Sequence, residues 1–171
     1  SRLFARWRRV GRFTDFVVAL GLILALATVA AIFELKRRGD PDVTGFGVAI
    51  DGDSIRLAGD EIRLEGIDAP EYRQSCRDAA GRDYQCGRMA RQTLSGLLAK
   101  GEIKCVVSGR DRYGRQLAKC YLGDQDINAT LVRAGRAVAY GRYESEEASA
   151  RAGRLGLWAG SFERPADYRR A

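Results

Sequence analysis

The chain has 171 residues, 46% of them hydrophobic, with a net charge of +7, four cysteines and no histidine. That length bounds it to one compact domain plus an appendage. The missing histidines and the lack of any CxxC exclude imidazole bases and speak against the usual zinc-ligand patterns.

The positive charge is concentrated at one end. Residues 1–40 carry eight Lys/Arg and three Asp/Glu, leaving 21 and 19 for the rest of the chain. Residues 104–142 hold eight basic and three acidic side chains, a local surplus suited to a polyanion or simply to a solvated face.

Residues 1–15 form a basic segment predicted to be cytoplasmic. Residues 16–33 (FVVALGLILALATVAAIF) follow without a charge and would make about 27 Å of helix, enough for a transmembrane signal-anchor. Five arginines precede this run and Lys36, Arg37 and Arg38 follow it, which favours an N-terminus inside the cell. A cleaved signal peptide, cut near Ala27 or Ala30, is the alternative. Either route sends the remainder outside: to an inner-membrane protein with a periplasmic or extracellular domain, or to a secreted one. Residues 34–43 read as a linker and 44–171 as the folded domain.

Three strands are expected over Gly47–Ile50, Ser54–Ala58 and Glu61–Ile67, separated by Asp-Gly-Asp and Gly59-Asp60 turns. In the third, Ile62 and Leu64 alternate with Arg63 and Glu65, so one face enters a core while Arg63 points the other way. Asp68 to Cys86 is irregular. Met89, Leu94, Leu97 and Leu98 predict a helix from about Gly87 to Ala99. A hairpin over Ile103–Ser108 and Gln116–Leu122 comes next, then a helix capped by Asp126 through about Ala134. Another helix opens near Ser145 and ends near Gly153 or Gly156. The fold class is α+β: a five-stranded OB-fold-like β-barrel with about three helices.

An even cysteine count behind an export segment predicts two disulfides. Cys105 and Cys120 flank the hairpin turn, and Cys76 and Cys86 close a short loop, so those pairings are expected, against free buried thiols.

The chemistry-bearing residues fall in order along the chain. Asp51 and Asp53 lie two apart and Asp68 ends a strand; their oxygens suit calcium or magnesium. Asp-Gly-Asp alone is a common turn, and Ile62 at the twelfth position from Asp51 rules out an EF-hand. Without histidine, water must be activated by a carboxylate, a lysine, a tyrosine or a metal, and Glu71 follows a stiffening Pro70 close to Asp68. Arg63 and Arg115, the second after a tight Asp111–Gly114 turn, offer bidentate forks for phosphate oxygens. Each has an ordinary surface alternative; the set points to metal-assisted phosphodiester cleavage.

This set resembles the staphylococcal nuclease-like (thermonuclease) family, from about Phe46 to Trp158, including Asp126–Tyr140 and Glu146–Trp158. The resemblance implies an OB-fold enzyme cutting DNA and RNA with little sequence preference, using Ca2+. It implies Asp53, Asp68 and the main-chain carbonyl of Ala69 as calcium ligands, with Asp51 just behind them. Glu71 would be the general base, Arg63 and Arg115 the phosphate clamps, and Tyr113 and Tyr140 the lining of a nucleotide pocket. The namesake enzyme has Thr where this chain has Ala69. Because that ligand is a backbone oxygen, calcium binding is expected to survive. The competing expectation is a non-catalytic OB-fold module that holds single-stranded nucleic acid or a protein partner.

Overall fold

The computed structural model describes residues 16–32 and 42–170. The basic segment 1–15, Phe33 at the end of the apolar run, and nearly all of the linker lie outside these. The chain divides into two units, Ser1–Gly39 and Asp40–Ala171. In the first, residues 16–32 form helix α1, exposed throughout. No helix among the described residues is long and apolar enough to cross a membrane, so they do not bear out the predicted span of residues 16–33.

The second unit is mixed α+β. Its main sheet runs in the order β1 (Val43–Gly45), β8 (Ile103–Arg110), β9 (Gln116–Leu122), β4 (Asp60–Leu64), β3 (Ser54–Leu57), β2 (Gly47–Ala49). β10 (Gln125–Asp126) also pairs with β9, which makes seven strands where five were expected. The two ends of this order, β1 and β2, are separated in the chain by Phe46 alone. Two small ladders complete the strands: β5 (Ile67–Asp68) with β11 (Val138–Ala139), and β6 (Cys76–Arg77) with β7 (Asp83–Tyr84), the latter inside a stretch expected to be irregular.

Alternation carries the sheet. Ile55, Leu57, Ile62, Leu64, Ile103, Cys105, Ala118 and Cys120 all point into one core. Helix α2 (Cys86–Leu98) lays Ala90, Leu94, Leu97 and Leu98 on it, an i, i+4, i+7, i+8 stripe. Met89, expected inside, is partly exposed, at 38%; Ala90 takes the inward position because the stripe starts one residue later.

Helix α3 (Ile127–Arg133) is capped by Asp126, whose side chain accepts from the Ala129 N–H at 2.9 Å. Its fully buried Asn128 donates to the carbonyls of Glu65 and Ala118 and accepts from the Cys120 N–H, so this polar group in the core is satisfied on all sides. Helix α4 (Glu144–Ala152), a 3-10 turn (Gly156–Ala159) and the short α5 (Pro165–Tyr168) follow. Buried Glu147 on α4 accepts from the Ala139 N–H at 2.6 Å and pairs with Arg151 and Arg164, pinning β11 in place.

Candidate active site

The sheet brings the two arginines expected to clamp phosphate to neighbouring places, Arg63 on β4 and Arg115 just before β9. β4 and β9 run parallel with Ile62 opposite Gln116 and Arg63 opposite Leu117, so Arg115 enters β9 alongside β4. Across the β3–β4 pairing, Ser54 faces Arg63 and the Leu64 N–H donates to the Asp53 carbonyl at 2.8 Å. β5 then turns Asp68 back towards the same point.

The result is a cleft of about 1110 Å³ lined by Asp51, Asp53, Arg63, Asp68, Ala69 and Glu71 on one side and Arg115, Tyr113 and Tyr140 on another. All nine residues expected to hold metal, base, phosphate or nucleotide line this one cleft.

Arg63 sits at its floor. Its guanidinium donates to Asp53 Oδ1 and Asp68 Oδ1, each at 3.0 Å. Asp53 and Asp68 are only 5% and 2% exposed, so Arg63 is their principal link to positive charge from the sheet. Asp53 Oδ2 also accepts from the Ala69 N–H at 2.9 Å. Burial nevertheless pushes the Asp53 carboxyl up to about 6, against the pull of Arg63 and the Ala69 N–H. Asp51 is raised too, again mainly by burial; its side chain accepts from the Gly52 N–H.

Glu71 is held by its backbone. Its N–H donates to Gln74 Oε1 at 3.1 Å and its carbonyl accepts from the Gln74 N–H at 2.7 Å. The Gln74 side chain is fully buried, and its Nε2 donates to the Glu163 carbonyl at 2.7 Å. The Cys76–Cys86 disulfide closes this loop beside Gln74, whose carbonyl meets Cys86 Sγ. The other expected bridge, Cys105–Cys120, joins directly opposed residues of β8 and β9.

Arg115 is aimed by Asp111. Its Nε and one terminal nitrogen donate to Asp111 Oδ2, both at 2.8 Å, and its N–H donates to Asp111 Oδ1. Tyr113 lies beneath Arg112 and Arg115, with the guanidinium carbons 4.7 and 5.6 Å from its ring centre. Tyr113 and Tyr140 are both well exposed.

Sequence reasoning missed Arg169. Its guanidinium donates to Asp68 Oδ1 at 3.0 Å, Asp68 Oδ2 at 2.9 Å and Glu71 Oε1 at 2.9 Å. These contacts, with Asp68 foremost, hold it protonated even more firmly than an ordinary arginine. No motif spacing marks it; the basic ending Tyr168-Arg169-Arg170 was the one available hint. Gln74 was missed because a lone glutamine in an irregular stretch carries no periodic signal.

The donor chemistry fits a hard cation. Several carboxylates face one cleft, two of them are almost fully buried, and burial has raised Asp53, which a nearby divalent charge would relieve. The geometry is occupied by guanidinium instead: among the described residues no three His, Cys, Asp or Glu side chains are gathered around a common point for a metal.

A model of the staphylococcal nuclease homologue family matches residues 61–160. The chain is 36% identical over 140 residues to the succinoglycan biosynthesis protein ExoI of Rhizobium meliloti, covering 77% of this chain and 73% of that protein. It is 33% identical over 111 residues to an uncharacterized endonuclease of Haemophilus influenzae, covering 61% and 57% of the two. It is 30% identical over 126 residues to the probable staphylococcal-like nuclease CAN1 of rice, covering 70% of this chain and 35% of that protein.

Proposed function

The chain belongs to the family of staphylococcal nuclease homologues, and on that premise we propose that it is a calcium-dependent nuclease hydrolysing phosphodiester bonds of DNA or RNA with little sequence preference. The observation that carries this reading is the convergence of Arg63, Glu71, Arg115 and the buried Asp53–Asp68 pair on one cleft. The endonuclease and nuclease names of two relatives support the same reaction class.

In this reading Asp53, Asp68 and the Ala69 carbonyl hold the cation. Bound there, it supplies Lewis-acid polarisation of a phosphoryl oxygen. The protein's own residues do the rest. Glu71, whose side chain is 34% exposed to the cleft, accepts the proton of the attacking water. Arg63 on β4 and Arg115, just ahead of the neighbouring parallel β9, grip non-bridging phosphate oxygens and offset charge gathering at phosphorus. Tyr113 and Tyr140 offer exposed rings to nucleotide bases, and such stacking reads little sequence.

The two disulfides support a working place in an oxidising compartment, reached either behind an anchor or after removal of a signal peptide.

The test is cleavage of single-stranded DNA and of RNA by the full chain, with calcium and with chelator. Calcium-dependent cleavage is expected. Its failure across pH and both polymers, with binding retained, would replace this reading by the non-catalytic module.

A further inference from the structure

We propose that Arg169 is a tethered competitor of the divalent cation, so that the C-terminal segment sets the cation concentration at which the site loads. This rests on the metal reading above and deepens it.

The first observation is where the guanidinium lies. Arg169 engages both oxygens of Asp68 and Oε1 of Glu71, joining the expected metal ligand to the expected base. With Arg63 already on Oδ1, Asp68 at 2% exposure carries two guanidiniums. A cation that takes Asp68 therefore competes with these guanidiniums for its oxygens, and Arg63 is held by Asp53 as well.

Charge balance points the same way. Asp53, Asp68 and Glu71 face Arg63 and Arg169. With Arg169 withdrawn, these three carboxylates keep one guanidinium partner, with Asp51 lining the same cleft, and the unmatched negative charge favours a divalent cation.

The third observation is that the segment delivering Arg169 is docked. Ser161 and Arg77 exchange backbone hydrogen bonds at 2.8 and 3.1 Å. A β-carbon on Gly160 would stand 2.0 Å from the Arg77 carbonyl oxygen, so the two backbones touch. Buried Gln74 holds the Glu163 carbonyl, and buried Pro165 opens α5, four residues before the arginine. The placement is specific: the adjoining Arg170 pairs with Asp167 of its own segment. Arg169 also lies beyond the residues 61–160 that match the family model.

A competitor that occupies the site most of the time weakens apparent affinity by the fraction of competent molecules. Calcium binding to the full chain, measured by titration calorimetry, tests this in Arg169→Gln, Arg169→Lys, Arg170→Gln and Asp68→Asn beside the unaltered protein. Arg169→Gln is expected to bind calcium about tenfold more tightly or better, Arg169→Lys to fall between, Arg170→Gln to stay within about twofold, and Asp68→Asn to lose the site. The Arg169 side chain is 40% exposed, so its replacement opens no cavity. Asp68-dependent binding with equal affinity in Arg169→Gln and the unaltered chain would overturn the competitor and leave the metal reading standing. An equal gain from Arg170→Gln would also overturn it, as diffuse charge. No Asp68-dependent binding in any of the proteins would overturn both.

Discussion

Gly87 and Glu71 are in backbone contact: a β-carbon on Gly87 would stand 1.8 Å from the Glu71 carbonyl oxygen. The first turn of α2 is thus the surface on which the loop bearing the proposed base rests, and the Gly87 N–H donates to the Gln74 carbonyl at 3.3 Å in the same contact. Because the obstacle is backbone rather than the tip of a flexible side chain, Gly87→Ala must push the loop away. The expected cost is about 1–3 kcal/mol. Cleavage should fall further than stability explains, since Glu71 moves with its loop. Urea unfolding beside rates taken well below the melting midpoint separates the two effects.

Glu71→Gln keeps the side chain's shape and removes its basicity. The rate of DNA cleavage in calcium is expected to drop by about 10²–10⁴, with the unfolding midpoint little changed because Glu71 is partly exposed. A rate equal to that of the unaltered chain would take the base role from it.

Arg63 and Arg115 should separate by stability although both are proposed to serve cleavage. Arg63 pairs with two buried carboxylates, so Arg63→Met leaves uncompensated charge and is expected to cost on the order of 3 kcal/mol in chelator. Arg115 pairs with the more accessible Asp111 and Glu61, so Arg115→Met is expected to cost no more than about 1 kcal/mol. Denaturant midpoints of the two variants, measured side by side, check the ordering.

The raised Asp53 makes the cation-free protein pH-sensitive in a defined direction. Its folded value of about 6 lies above the ordinary 3.8, so the folded state binds the proton more tightly than the unfolded chain. That contribution is fully present below about pH 4 and is lost as pH rises through about 6. A gap of roughly two pH units corresponds to about 3 kcal/mol. Asp53→Asn should therefore gain on the unaltered chain between about pH 4 and pH 7 in chelator. Stability curves that run parallel over that range would contradict the assignment.

Cys105 and Cys120 are fully buried and opposed on β8 and β9. Replacing both by Ala is expected to cost up to about 3 kcal/mol, the chain-entropy scale for a loop near 15 residues. Guanidinium unfolding of the double variant measures it.

Much of this architecture is legible in the residues. Ile62 and Leu64 alternating around Arg63 give both the strand and the side on which Arg63 emerges, because a pleat has a period of two. Asp126 before an apolar run marks α3, because an N-cap needs a short acceptor there. The cysteine pairing follows from a hairpin whose register places Cys105 opposite Cys120. Other features are not local. The parallel pairing of β4 with β9, which sets Arg63 beside Arg115, depends on tertiary order and has no composition of its own. Met89 and Ala90 exchange inside and outside by one step of helix phase, which four apolar residues are too few to fix. Arg169 reaches Asp68 and Glu71 only because Ser161 and Glu163 dock on the loop after Glu71, a contact between segments nearly a hundred positions apart.

The two-residue strand that bears Asp68 finds its ladder partner in Val138 and Ala139, themselves pinned by Glu147. A chain emerging from the ribosome would thus carry Asp53, Arg63 and Glu71 into the open long before the piece that steadies Asp68 has been made. A product cut short before Val138 would lack the ladder partner of Asp68, so the arrangement at the cleft can assemble only after that later piece has been made.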